Sequence, residues 1–193
     1  MTRLIGRAGV LAALVLGISA SAAWAQDDTG SGVSQPRWAL EGAAGFQLSY
    51  DGRVQSVAFG FAPSRSLTLL VTAEQSHIQD SFEQYVDGYS AERGGTEQFV
   101  SAEVRGAFFT RRRVSPYVLG GLGRGTSRPN VSESFPDRKV RDIHVIYYGA
   151  GIRIPVGPRF DVLVDTRLIM SVEAVSDYFG VRMPVRASLA WRF

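Results

Sequence analysis

Along most of the chain apolar and polar positions alternate with a period of two. The last thirteen residues show it most cleanly, with Val181, Met183, Val185, Ala187, Leu189, Trp191 and Phe193 on one parity and Arg182, Pro184, Arg186, Ser188, Ala190 and Arg192 on the other. Successive side chains of a strand point to opposite faces, so this period predicts strands with one apolar and one polar face. The same pattern predicts seven more strands, at 38–50, 53–61, 67–74, 100–108, 116–123, 144–154 and 160–170. Asp51-Gly52, Pro63, Arg111-Arg112-Arg113 and the run Pro155-Val156-Gly157-Pro158 read as tight turns. Polar stretches at 77–96 and 126–142 read as long connections. No helix of ordinary length competes with this reading.

Composition narrows the possibilities. The chain has 193 residues, 45% of them hydrophobic, 21 Lys+Arg against 18 Asp+Glu, and no cysteine. Disulfides, thiolate metal sites, cysteine nucleophiles and cysteine lipidation are therefore excluded. Met1 to Ala25 has Arg3 and Arg7, a short apolar core from Val10 to Ile18, and the ending Ala23-Trp24-Ala25, which is the pattern of a secretory signal peptide cleaved after Ala25. Residues 26–36, rich in Asp, Gly, Ser and Gln, read as a flexible periplasmic leader, and 37–193 as one domain. Removing the first 25 residues leaves 19 basic and 18 acidic residues, so most of the excess positive charge falls in the signal. A near-neutral exported domain gives no basic footprint for nucleic acid.

Eight amphipathic antiparallel strands can close with the apolar face inside, around a soluble core, or outside, against lipid. Three features favour lipid. The charged parity is interleaved with Gly, Ala and Ser, as a narrow lumen requires. Aromatic residues gather at the ends of the apolar faces, at Trp38, Tyr50, Phe108, Tyr117, Tyr148, Phe160, Trp191 and Phe193, as an interfacial girdle would. Connections alternate short and long. The fold expected is all-β, an eight-stranded antiparallel up-and-down transmembrane β-barrel. Pro184, within a strand that has no free edge, predicts a bulge or a shifted register.

Two segments give the chain a likeness to known proteins. Ser115-Pro116-Tyr117-Val118-Leu119-Gly120-Gly121-Leu122-Gly123 resembles a proline-aromatic-glycine strand, and Leu189-Ala190-Trp191-Arg192-Phe193 resembles a terminal signal with alternate apolar residues and a final aromatic. Both are similar to the eight-stranded outer-membrane barrels of Gram-negative bacteria, the OmpA-like and OmpX-like proteins. That resemblance implies an outer-membrane location with both termini periplasmic. It also implies recognition of Leu189, Trp191 and Phe193 by the barrel-assembly machinery. It implies no single activity, because the architecture hosts anchors, adhesins, small pores and lipid-modifying enzymes.

The polar parities place Glu41, Glu74, Glu103, Arg105, Arg153, Asp161, Asp165, Arg167, Arg182, Arg186 and Arg192 in the lumen. Charges of both signs in so narrow a space predict a salt-bridge network, with a thin gated ion path as the alternative. Arg124, Arg128, Arg138, Lys139 and Arg141 gather around the connection at 126–142 and suit lipopolysaccharide phosphates, with a solvated charge run as the equal alternative. The two histidines, His77 and His144, have Ser76, Ser81 and Asp142 nearby, but no motif of the lipid A-modifying barrel enzymes accompanies them. No catalytic, cofactor or metal site is expected. The sequence points to a structural or surface-interaction role, with partners among outer-membrane lipids and with recognition in the long connections.

Overall fold

The computed structural model describes residues 38–48, 51–85, 88–92, 94–110, 112–131, 133, 136, 139–171 and 181–193. The signal and leader expectations for 1–36, and Tyr50 of the expected girdle, lie outside them. The described residues form eleven strands: β1 (Trp38–Gln47), β2 (Gly52–Phe61), β3 (Leu67–Ile78), β4 (Ser81–Tyr85), β5 (Gly88–Glu92), β6 (Gly95–Ala107), β7 (Ser115–Pro129), β8 (Arg141–Pro155), β9 (Phe160–Ser171), β10 (Val181–Arg182) and β11 (Pro184–Arg192). Each of β1, β2, β3, β6, β7, β8 and β9 pairs antiparallel with its neighbours, and β10 with β11 fills the eighth position between β9 and β1. The ring is closed. β4 and β5 form a separate hairpin between β3 and β6.

Registers fix the shape. Stepping across the ladders from Trp38 leads through Phe61, Leu69, Val104, Gly120, Tyr148, Leu168 and Met183 to Leu48, whose N–H donates to the Met183 carbonyl at 2.9 Å. The circuit returns ten residues further along the first strand. Ten residues of rise over eight strand spacings gives a tilt of about 40°. The two ends differ. Short turns at 62–66, 108–114 and 156–159 share one end with Trp38 and Phe193, whereas the connections after β1, β3, β7 and β9 share the other.

Two expectations about strand limits change. β3 reaches Ile78 and β6 starts at Gly95, while β7 runs to Pro129 and β8 starts at Arg141, so strand occupies much of both polar stretches. Asp80 fastens the bases of these two connections together. Its Oδ1 accepts from the Gly94 N–H at 2.5 Å and from Asn130 Nδ2 at 3.1 Å. At Pro184 there is neither a bulge nor a register shift: Val181↔Met170 and Val185↔Thr166 belong to one continuous register. Because the Met183 carbonyl faces β1, the nitrogen of residue 184 faces Arg167 on β9, where proline has no hydrogen to give. The ladder loses a bond and β10 separates from β11.

The outward parity is apolar and exposed, including Leu40, Phe46, Val57, Phe59, Val71, Val100, Leu122 and Leu189, while most charged barrel residues are buried inside. This inverts the soluble arrangement and matches a lipid-facing band. At the short-turn end Trp38 stacks on Phe59 with centroids 5.3 Å apart, and Trp191 meets Phe193 at 4.8 Å. Tyr117 does not join this girdle. It shares its parity with Ser115, Leu119 and Gly121 and is 1% exposed, inside the barrel.

Candidate functional site

The inward residues at mid-barrel build one connected network. Arg105 bonds Glu41 at 2.8 Å and Glu103 at 2.8 Å; Arg167 bonds Glu103 at 2.7 Å and Asp165 at 3.2 Å; Arg186 bonds Asp165 at 3.0 Å and Glu74 at 3.0 Å. Carboxylates and guanidiniums thus alternate from Glu41 to Glu74. The Tyr147 hydroxyl lies 2.9 Å from Ser101 Oγ and donates to Glu103 at 3.1 Å, Tyr117 donates to Asp165 at 2.9 Å, and Arg186 also donates to Ser56 at 3.0 Å. With those side chains all eight strand positions contribute, and the network laces the ring together from within.

Glycines make room for the two tyrosines. Tyr147 lies opposite Gly121 and Tyr117 opposite Gly151 in the β7–β8 ladder, and a Cβ on either glycine would run into the facing ring. Each ring in turn lies beneath a guanidinium, Arg105 over Tyr117 and Arg167 over Tyr147, both at 5.0 Å. Tyr117 therefore serves as a polar strut inside, where the sequence suggested a girdle residue. Ring size and position at a strand end were the misleading signal; its parity with Ser115 and Gly121 was the informative one.

Two further pairs lie above and below. Arg182 pairs with Glu97 toward the long-connection end, and Arg192 pairs with Asp161 at 2.5 Å toward the short turns. Arg153, also buried, donates to the Arg65 carbonyl at 3.3 Å. Among the described residues six Asp/Glu and, counting Arg192, six Arg meet in the lumen, with Arg141 further along the same parity of β8. Glu97 was missed from the sequence because the fourth strand was read from residue 100; extending the parity of Ser101, Glu103 and Arg105 backwards finds it. Toward the long connections the inward face becomes apolar, with Val54, Ile78, Phe99, Ile143, Val145 and Ile169 all buried. The cavity bounded by Glu41, Arg105, Tyr117, Arg153, Asp161 and Arg192 measures ≈ 20 Å³, room for about one water.

The remaining candidates are dispersed. Ser76 and His77 are neighbours on β3 and so face opposite ways: Ser76 is buried inside against Gln47 Nε2 at 3.5 Å, and His77 Nδ1 meets Thr96 Oγ1 at 3.1 Å. Among the described residues no group of His, Asp and Glu is arranged to hold a metal. Arg124 and Arg128 project outward from β7, Arg124 bonding Asp142 at 3.4 Å; Lys139 is exposed in the connection, Arg141 starts β8 on the inward parity, and Arg138 lies outside the described residues. Beside Arg124 and Arg128 the structure sets an outward row that sequence reading did not assemble, Gln55↔Gln75↔Gln98↔Thr126. Leu189, Trp191 and Phe193 all lie exposed on the outward face at the last strand.

No protein-family profile and no curated protein matches this chain. Solved structures do. The N-terminal β-barrel domain of Pseudomonas aeruginosa OprF aligns with a TM-score of 0.59 at 13% identity, over 82% of this chain and 98% of that one. Neisserial surface protein A aligns at 0.61 and 14% identity, over 81% and 96%. Ail, the attachment invasion locus protein of Yersinia pestis, aligns at 0.51 and 20% identity, over 83% and 100%. The fold of this chain is thus that of the eight-stranded outer-membrane barrels, as the strand pattern and terminal segment implied.

Proposed function

We propose that this protein is an outer-membrane barrel of structural or surface-interaction role, with its lumen closed and its contacts made by the long connections and the outward rim. One observation carries the reading: the alternating network from Glu41 to Glu74 crosses the mid-barrel and engages all eight strand positions. Paired charges across so narrow a lumen oppose the passage of ions, which leaves the barrel's ends and outer face for recognition. The short turns face the periplasm, as is usual for such barrels.

At the opposite end, Arg124 and Arg128 with the row Gln55, Gln75, Gln98 and Thr126 form an outward polar belt above the apolar band. Guanidinium forks suit phosphate and carboxamides suit sugar hydroxyls, so this belt and the exposed Lys139 are assigned to lipopolysaccharide. The Arg124–Asp142 pair is exposed and weak enough to yield to a phosphate.

The test combines fractionation with planar-bilayer recording. Protein from the outer-membrane fraction is expected to migrate differently on gels when boiled and unboiled, and to give no channel steps in a bilayer. A reproducible open channel would refute the closed-lumen reading, and protein found soluble in the periplasm would refute the membrane reading.

A further inference from the structure

The two ends of the barrel carry opposite charge. The three short turns, at 62–66, 108–114 and 156–159, contain five arginines (Arg65, Arg111, Arg112, Arg113 and Arg159) and no Asp or Glu. The four connections at the other end, 48–51, 79–94, 130–140 and 172–180, contain nine Asp or Glu and only three Lys or Arg. Glu41 and Asp161, the buried acids nearest the short turns, point into the lumen and pair with Arg105 and Arg192.

The β6–β7 turn is built to present its charge beside an apolar group. Phe109 sits at φ 53, the left-handed region that an aromatic side chain rarely occupies. Its carbonyl accepts from the Arg112 N–H at 2.9 Å and from Ser115 Oγ at 3.3 Å, which holds the turn in that shape. The ring is 57% exposed with the Arg112 guanidinium 4.9 Å from its centroid. Val114 in the same turn and Val156 in the β8–β9 turn are also exposed. Immediately beyond stands the aromatic belt of Trp38, Phe160, Trp191 and Phe193. Exposed apolar groups interspersed with arginines, one step outside an aromatic belt, are the composition of a surface at headgroup depth.

We propose that the short-turn rim is a binding surface for the anionic phospholipid headgroups of the periplasmic leaflet, with Arg65, Arg112, Arg113 and Arg159 meeting phosphates while Phe109, Val114 and Val156 enter the acyl boundary. The assignment rests on the outer-membrane reading above. Its support is charge complementarity: turns that hold arginines and no Asp or Glu, at a level where the membrane presents phosphate.

Trp38 and Trp191 stand at this rim and report on the lipids next to it. In the full chain carrying W24F their emission is the only tryptophan signal. The folded protein is placed in phosphatidylcholine vesicles containing either brominated phosphatidylglycerol or brominated phosphatidylcholine, and quenching is compared. The expected result is a several-fold preference for the anionic lipid that fades as salt is raised, is lost in R65Q/R112Q/R113Q/R159Q, and is partly lost in the milder R112Q/R113Q. Heat-dependent gel mobility shows that each variant is folded. Equal quenching by the two lipids in inserted wild-type protein overturns the proposal and assigns the rim to an acidic partner in solution. Preference that survives intact in the fourfold variant overturns it as well. Failure of the wild-type protein to insert or to shift on heating would instead sink the membrane reading on which it rests.

Discussion

Arg186 and Asp165 face each other directly across the β9–β11 ladder and are joined by two hydrogen bonds, Nε to Oδ1 at 3.0 Å and Nη2 to Oδ2 at 3.1 Å. The remaining Nη1 of the same guanidinium reaches across to Glu74 and Ser56. A forked donor shared by two strands' carboxylates binds β3, β9 and β11 at one point. R186M removes the donor and leaves two buried carboxylates without it, at a cost of about 3–5 kcal/mol. Denaturant unfolding in micelles measures this, and a loss below about 1 kcal/mol, the scale of an exposed pair, would count against a cohesive role for the network.

Gly121 leaves the space that the Tyr147 ring fills. G121A is expected to push the ring off Ser101 and Glu103 and to destabilise the barrel by about 1–3 kcal/mol. Tyrosine fluorescence or ring chemical shifts would register the displacement, and an unchanged Tyr147 environment would show that the glycine is dispensable.

Depth in the apolar band sets the cost of a charge on the outward face. Val71 lies mid-band on β3, in a row with Phe59 and Ala102, whereas Gln98 belongs to the polar row near the long connections. V71R should cost about 2–4 kcal/mol and Q98R about 0–1 kcal/mol. Equal costs in lipid vesicles would mean that the band has been placed at the wrong height.

At Pro184 the missing hydrogen bond toward Arg167 is a local defect in an otherwise continuous register. P184A should supply that donor, worth about 0.5–1.5 kcal/mol before the lost packing of the proline ring is counted. Hydrogen exchange across 182–186 should slow. Exchange no slower than in the wild type would mean that the break has another cause.

The alternation that predicted the strands was strongest where inside and outside differ most in polarity. Val181 to Phe193 sets arginines against Val, Leu, Trp and Phe, and its placement from sequence matches the last strand. Toward the long connections the contrast collapses from both sides: Val54, Ile78, Phe99 and Ile143 are apolar inside, while Gln55, Gln75 and Gln98 are polar outside. Parity there no longer distinguishes lumen from lipid, so β3, β6, β7 and β8 were read short and Glu97 was missed. Apart from Glu97, the buried acids lie on the parities that the sequence reading turned inward. Which acid meets which arginine was not legible from parity, because partners such as Arg186 and Glu74 are brought together by barrel curvature across 112 positions of chain.

The seam between β1 and β11 closes at Trp38 and Phe193, whose backbones exchange bonds of 3.1 and 3.0 Å. Residues 155 positions apart thus form the joint on which the cylinder depends. A translocating chain emerges amino end first, so the first strand must wait for its partner until the whole polypeptide has crossed. Until then its edge and the apolar outward face lack their final covering, a condition prone to self-association. The β1–β11 seam is accordingly the pairing of longest range in the barrel and the one that must wait for the last strand.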